Sequence, residues 1–137
     1  MQLLLIEDDR GVVYFLEKAL AKQGHDVVSV NNGRFASRIC KERAFDLIVL
    51  EADLAREDGF EVCRMMRRQQ ISAPILMMIG DSLPGSLAKM VEVGANDHLQ
   101  KPFTGEEITR KIRKATLQQR RIEIPVQVHA GLERAAI

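Results

Sequence analysis

An open parallel α/β sheet with helices on both faces is the architecture this sequence predicts, on two observations. Short apolar runs rich in branched residues recur along the chain, and each is followed by a stretch whose apolar residues repeat at helical spacing. Runs that are apolar throughout, rather than alternating, belong to parallel strands covered from both sides. Leu3 to Ile6, Val27 to Val30, Leu47 to Leu50 and Ile75 to Ile79 are the strands; Asp97 to Gln100 is the weakest and is placed by what flanks it. The helices follow from apolar stripes. Val12, Phe15, Leu16, Ala19 and Leu20 make the first, Phe35, Ala36, Ile39 and Cys40 the second, and Phe60, Cys63 and Met66 the third. Leu87, Met90 and Val91 make the fourth, and Ile108, Ile112 and Ala115 the fifth. Gly24, Gly59, Pro74 and Gly94 mark the joints. Repeated βα units imply right-handed crossovers, and the flavodoxin-like strand order 2-1-3-4-5 is the natural arrangement.

At 137 residues and 46% hydrophobic content, the chain suffices for one domain with a real core and a short appendage. We place the domain at residues 1–120 and read 121–137 as a linker or the start of an output domain. Within that stretch Ile122 to Val128 alternates like a strand, and Pro125 confines it to an edge or linker. The formal net charge of +1 gives no global field for nucleic acid or membrane. The last helix is locally basic through Arg110, Lys111, Arg113, Lys114, Arg120 and Arg121, a run that suits a solvated face at a helix C-terminus. Cys40 and Cys63 lack CxxC spacing, so neither a disulfide framework nor a zinc site is expected, and a reducing cytoplasm fits. No apolar run approaches the ~20 residues of a membrane span, and the N-terminus enters a strand without a basic leader. His25 and His129 read as surface residues.

Open α/β sheets bind ligands beyond the carboxyl ends of their strands, and the uncommon residues fall there. Glu7 and Asp8 follow the first strand, Glu51 and Asp53 the third, residues 79–82 the fourth and Lys101 the fifth. Carboxylates gathered from distant segments stabilise a fold poorly, because like charges raise one another's pKa unless a cation intervenes. Their convergence marks a site. Taken in order, the acidic cluster Glu7-Asp8-Asp9, the carboxylate closing strand three and Lys101-Pro102 resemble the receiver domain of bacterial response regulators, over about residues 2–118.

In that family an Asp at the third-strand position accepts a phosphoryl group from a histidine kinase; here the position holds Glu51. The resemblance makes Glu7 and Asp8 the metal-site acids, with Asp8 the direct ligand. The backbone carbonyl of Asp53 becomes the third protein ligand, with Glu51 a further one where a metal binds. Mg²⁺ is the ion such hard oxygens suit; the alternative is an empty site in which Glu51 and Lys101 neutralise each other. Lys101 matches the lysine that pairs with the phosphoryl oxygens, Lys101-Pro102 is a candidate cis peptide, and Asp58-Gly59 matches the turn after the acceptor strand.

Two further departures fall on reporting positions. Ile79 stands where the family has a switch Ser or Thr, and His98 where it has a Tyr or Phe that swings inward. Ser82 is the nearest substitute hydroxyl. The expectation is a regulatory module of a two-component phosphorelay, not an enzyme, degenerate as a phosphoryl acceptor. It would be regulated through a surface of helix four, strand five and helix five that meets a histidine kinase, another signalling protein or a second copy. Nucleic acid would be met only through an output domain. The competing readings are a conventional response regulator, a constitutively active one in which Glu51 mimics the phosphorylated state, the N-terminal part of a DNA-binding transcriptional regulator, and a flavodoxin-like cofactor binder. The last lacks a Gly-rich phosphate loop after strand one.

Overall fold

A computed structural model describes residues 1–80 and 85–119. The strands β1 (Gln2–Ile6), β2 (Asp26–Val30), β3 (Leu47–Glu51), β4 (Ile75–Ile79) and β5 (Asp97–Gln100) form one parallel sheet in the order β2-β1-β3-β4-β5. Between them run α1 (Arg10–Lys22), α2 (Gly33–Glu42), α3 (Gly59–Arg68) and α4 (Ser86–Val93), and α5 follows at residues 105–119. The predicted architecture and strand order are those observed. Ser82 and residues 120–137, including the alternating stretch and His129, lie outside the described residues.

Strand alternation divides the core into two layers. Leu3, Leu5, Leu47, Val49, Leu76 and Met78 point to one face and pack with Leu16 and Leu20 of α1 and Ile108, Ile112 and Ala115 of α5. Leu4, Ile6, Ile48, Leu50, Ile75 and Met77 point to the other and meet Ala36, Val62, Cys63, Met66 and Met90 of α2, α3 and α4. This is why the central strands read as unbroken apolar runs. Only Leu99 of β5 is buried, which accounts for its weak signal at the sheet edge. The two cysteines are free thiols.

The stripes need correction in three places. In α4 the inward residues are Met90 and Val93, one turn apart, whereas Leu87 and Val91 are 53% and 69% exposed. Phe15 and Phe35 are also exposed, at 45% and 47%. Each sits at the margin of its stripe, where helical spacing alone does not separate the covered flank from the open one.

Arg67 ties the end of α3 to the segments before β4 and β5. Its guanidinium donates to the carbonyls of Ile71, Ala73 and Gly94 and to Asn96 Oδ1, at 2.6 to 2.9 Å. It thereby satisfies carbonyls around the ends of α3 and α4 that have no helical partner.

Candidate functional site

At the carboxyl rim of the sheet, β1, β3 and the segment after β5 bring Glu7, Glu51 and Lys101 together. Glu51 ends β3, in register with Met78 of β4. Lys101 is placed by its own backbone N–H, which donates to the Ile79 carbonyl at 2.8 Å, and its peptide bond to Pro102 is cis, as the sequence suggested. The Lys101 Nζ donates to Glu51 Oε1 at 2.5 Å and lies 3.7 Å from Glu7 Oε2. Both carboxylates are buried, at 2% exposure for Glu7 and 5% for Glu51. Glu7 Oε1 accepts from the N–H groups of Asp8 and Asp9 at 2.9 and 3.0 Å. The second oxygens, Glu7 Oε2 and Glu51 Oε2, are buried without a hydrogen-bond partner.

Two buried carboxyls thus share one ammonium. Burial is the main cause that pushes both above the usual carboxylate range. For Glu7, the Asp9 N–H and Lys101 work against burial while the Glu51 charge adds to it. For Glu51, Lys101 opposes and Asp53 adds.

The neighbouring acids have other work. Asp8 Oδ2 accepts from the Ala55 N–H at 2.6 Å, tying the connection after β3 to the end of β1. Asp9 caps α1, accepting from the N–H groups of Gly11 and Val12. The cap was missed from the sequence, where Asp9 was grouped with Glu7 and Asp8, although an Asp directly before an apolar helical stripe signals a helix start. Glu57 was also missed. Its Oε1 accepts from the Gly33 N–H at 2.5 Å, joining the same connection to the N-terminus of α2.

Asp53 is exposed and pairs with Asp58 in an isolated antiparallel bridge that closes the turn. Asp58 caps α3 through the Phe60 N–H at 2.8 Å, and a Cβ at Gly59 would lie 2.1 Å from the Glu51 carbonyl oxygen, so only glycine fits. Asp58→Ala is expected to cost about 1 kcal/mol of stability, read as a lower urea midpoint with an unchanged slope.

The two reporting positions do not join the cluster. Ile79 is 5% exposed and packs into the α2–α4 core, offering no hydroxyl. His98 is half-buried, with Nδ1 3.6 Å from Asp97 Oδ1, an oxygen that also takes the Lys111 ammonium at 3.2 Å. Among the described residues no three His, Cys, Asp or Glu side chains stand together to hold a metal ion. The carboxylates of Glu7, Asp8 and Glu51 and the Asp53 carbonyl are hard donors. Asp8, however, is bonded to Ala55, and Lys101 already supplies the positive charge facing Glu7 and Glu51. As arranged, the fit to Mg²⁺ is incomplete.

Residues 3–113 match the family of the response regulator receiver domain. The chain belongs to that family. The receiver is 32% identical over 124 residues to the alkaline phosphatase synthesis transcriptional regulatory protein PhoP of Bacillus subtilis, covering 90% of this chain and 51% of PhoP. It is 33% identical over 131 residues to the transcriptional regulatory protein TcrA of Mycobacterium tuberculosis, covering 96% and 51%. It therefore spans about half the length of these curated relatives. Among solved structures, the receiver superposes on the chemotaxis protein CheY4 of Vibrio cholerae with a TM-score of 0.79 at 25% identity, over 83% of this chain and 97% of that one. It superposes on the receiver domain of the sensor histidine kinase PA1611 of Pseudomonas aeruginosa PAO1, which carries a magnesium ion in its active-site cleft, with a TM-score of 0.76 at 28% identity over 84% and 96%. No helix among the described residues of the receiver is long and apolar enough to cross a membrane.

Proposed function

We propose that this receiver is a signalling module of a two-component system, not an enzyme, whose switching does not depend on phosphorylation at the acceptor position. The observation that carries this reading is the contact between Lys101 and Glu51. The lysine that would pair with the phosphoryl oxygens is already engaged by the side chain at the acceptor position, and Ile79 brings no hydroxyl to complete a switch. Glu also carries its carboxylate about one methylene further from the backbone than Asp, and displacement on this scale, ~1 Å, costs on the order of a hundredfold in rate. The same ammonium neutralises Glu7 and Glu51 while Asp8 is held by the Ala55 N–H, so Mg²⁺ binds weakly on this reading. Incubation with acetyl phosphate or beryllofluoride and Mg²⁺ is expected to give no mass adduct and little change in amide spectra. Stoichiometric adduct formation would refute this reading.

A second reading, constitutive activity, draws on the same contact, since Glu51 reaches Lys101 as a phosphoryl group would. A carboxylate offers one charge and two oxygens against nearly two charges and three oxygens, which makes it a weak mimic.

The input is a histidine kinase, another signalling protein or a second copy, acting in the cytoplasm by favouring one of two arrangements of the α4-β5-α5 surface. Leu87 and Val91 leave α4 with an uncovered apolar flank, and Asp97 and Lys111 pair between β5 and α5. For homodimerisation, Leu87→Asp together with Val91→Asp is expected to convert a dimer into a monomer in light scattering; an unchanged mass would remove this surface from the interface. On this reading residues 1–120 are the receiver-like domain and 121–137 a linker or the start of an output domain, through which alone nucleic acid would be contacted.

A further inference from the structure

Next to the lysine-bridged glutamates, a cleft of about 530 Å³ opens between α1 and α2 over the carboxyl end of the edge strand β2. That volume lies within the range of small-molecule sites. Among the described residues the core is almost wholly non-aromatic, with Phe45 the one buried aromatic. Tyr14 and Phe35 instead line this cleft, 62% and 47% exposed.

The rest of the lining is charged, with Glu17 and Arg10 on α1 and Glu7 and Asp8 at the end of β1, so acids outnumber bases. These carboxylates are held in place rather than left to wave in solvent. Glu17 Oε1 accepts from Ser29 Oγ at 2.6 Å, Asp8 Oδ2 from the Ala55 N–H at 2.6 Å, and Glu7 Oε2 is buried without a hydrogen-bond partner. The Tyr14 ring already attracts a cation, with Lys18 Nζ 4.4 Å from its centroid. Aromatic faces next to fixed carboxylates recognise organic cations, through the ring quadrupole and through charge. The same carboxylates repel phosphate and other anions.

We propose that this cleft binds a small organic cation, an amidinium or ammonium group on a flat apolar body, and that its occupancy is an input to the receiver. The route is Asp8, which lines the cleft and also holds the connection after β3 through Ala55. A ligand that draws on Asp8 shifts the segment carrying Asp53 and Asp58. The regulatory half of the proposal rests on the phosphorylation-independent reading above; the binding half does not.

The test is an amide NMR titration of the whole 137-residue chain with benzamidine, and with benzoate as an anion of the same shape. Benzamidine is expected to give saturable shifts at Tyr14, Ser29, Asn31 and Phe35, and benzoate to bind at least about fivefold more weakly. Phe35→Ala and Glu17→Gln, both at exposed positions, are each expected to weaken benzamidine about threefold or more while leaving distant shifts unchanged. Equal binding of benzoate, no saturable shift at these amides, identical shifts from Mg²⁺ alone, or indifference of both variants would overturn the site. Binding without any shift at residues 53–58 would overturn the input. Neither result touches the phosphodonor test, so failure of this proposal and failure of the phosphorylation-independent reading are told apart.

Discussion

Lys101→Met is expected to lower folding stability by about 2–3 kcal/mol at pH 7 and by much less at pH 5. Lys101 faces two buried carboxylates, so its removal leaves Glu7 and Glu51 charged and uncompensated. Breaking a fully buried pair costs about 3–5 kcal/mol; the lysine side chain is 27% exposed, which places this case at or below the low end. The pH dependence follows from the direction of the shifts. Both glutamates have folded-state pKa values above their ordinary 4.5. The stability such groups contribute is complete below the unfolded pKa and is lost as pH rises through the folded one. Without Lys101 to oppose burial, the folded values move further up and the loss at neutral pH grows. Urea denaturation of wild type and variant at both pH values measures it; equal losses would mean that Lys101 acts through packing alone. As a companion, Glu51→Gln keeps the shape and removes one buried charge. It is expected to be neutral or stabilising by on the order of 1 kcal/mol at pH 7, with the difference shrinking on acidification.

That cluster also shows what a linear reading reaches. The strand order was legible because β1, β3 and β4 are apolar on both faces, and a parallel sheet between two helix layers is the arrangement that buries such strands. The gathering of Glu7, Glu51 and Lys101 followed from topology, since strands in parallel deliver their carboxyl ends to one rim. The division of labour among Glu7, Asp8 and Asp9 did not follow, because successive residues leaving a strand turn in directions set by the loop they enter. Glu7 went inward to Lys101, Asp8 across to Ala55 and Asp9 to the helix N-terminus. Glu57 was invisible for a related reason. Its partner, the Gly33 N–H, is a backbone group from another connection, and no spacing of side chains encodes it. The exposed Leu87 and Val91 were read as core because an apolar residue at helical spacing looks the same whether the body of the protein or a partner covers it.

If the phosphorylation-independent reading holds, Glu51→Asp combined with Ile79→Thr is expected to form a beryllofluoride or phosphoryl adduct that the natural chain does not. The shorter side chain withdraws the carboxylate from Lys101, freeing the ammonium to meet phosphoryl oxygens, and returns the acceptor oxygen to the place where in-line transfer is favourable. Threonine at 79 supplies the hydroxyl that the buried isoleucine lacks. The gain is expected to be on the order of a hundredfold in adduct formation rate, most of it from position 51, because a displacement of ~1 Å carries that penalty. The variant is also expected to lose some stability, since Ile79 is 5% exposed and a buried apolar residue exchanged for a hydroxyl costs about 1–2 kcal/mol. Intact-mass spectrometry after acetyl phosphate treatment, run beside the single variants, separates the two contributions. An adduct on Ile79→Thr alone would place the defect in the switch hydroxyl rather than in Glu51. If the double variant stays inert, the obstruction lies beyond these two side chains, with Asp8 and its bond to the Ala55 N–H the next group to release.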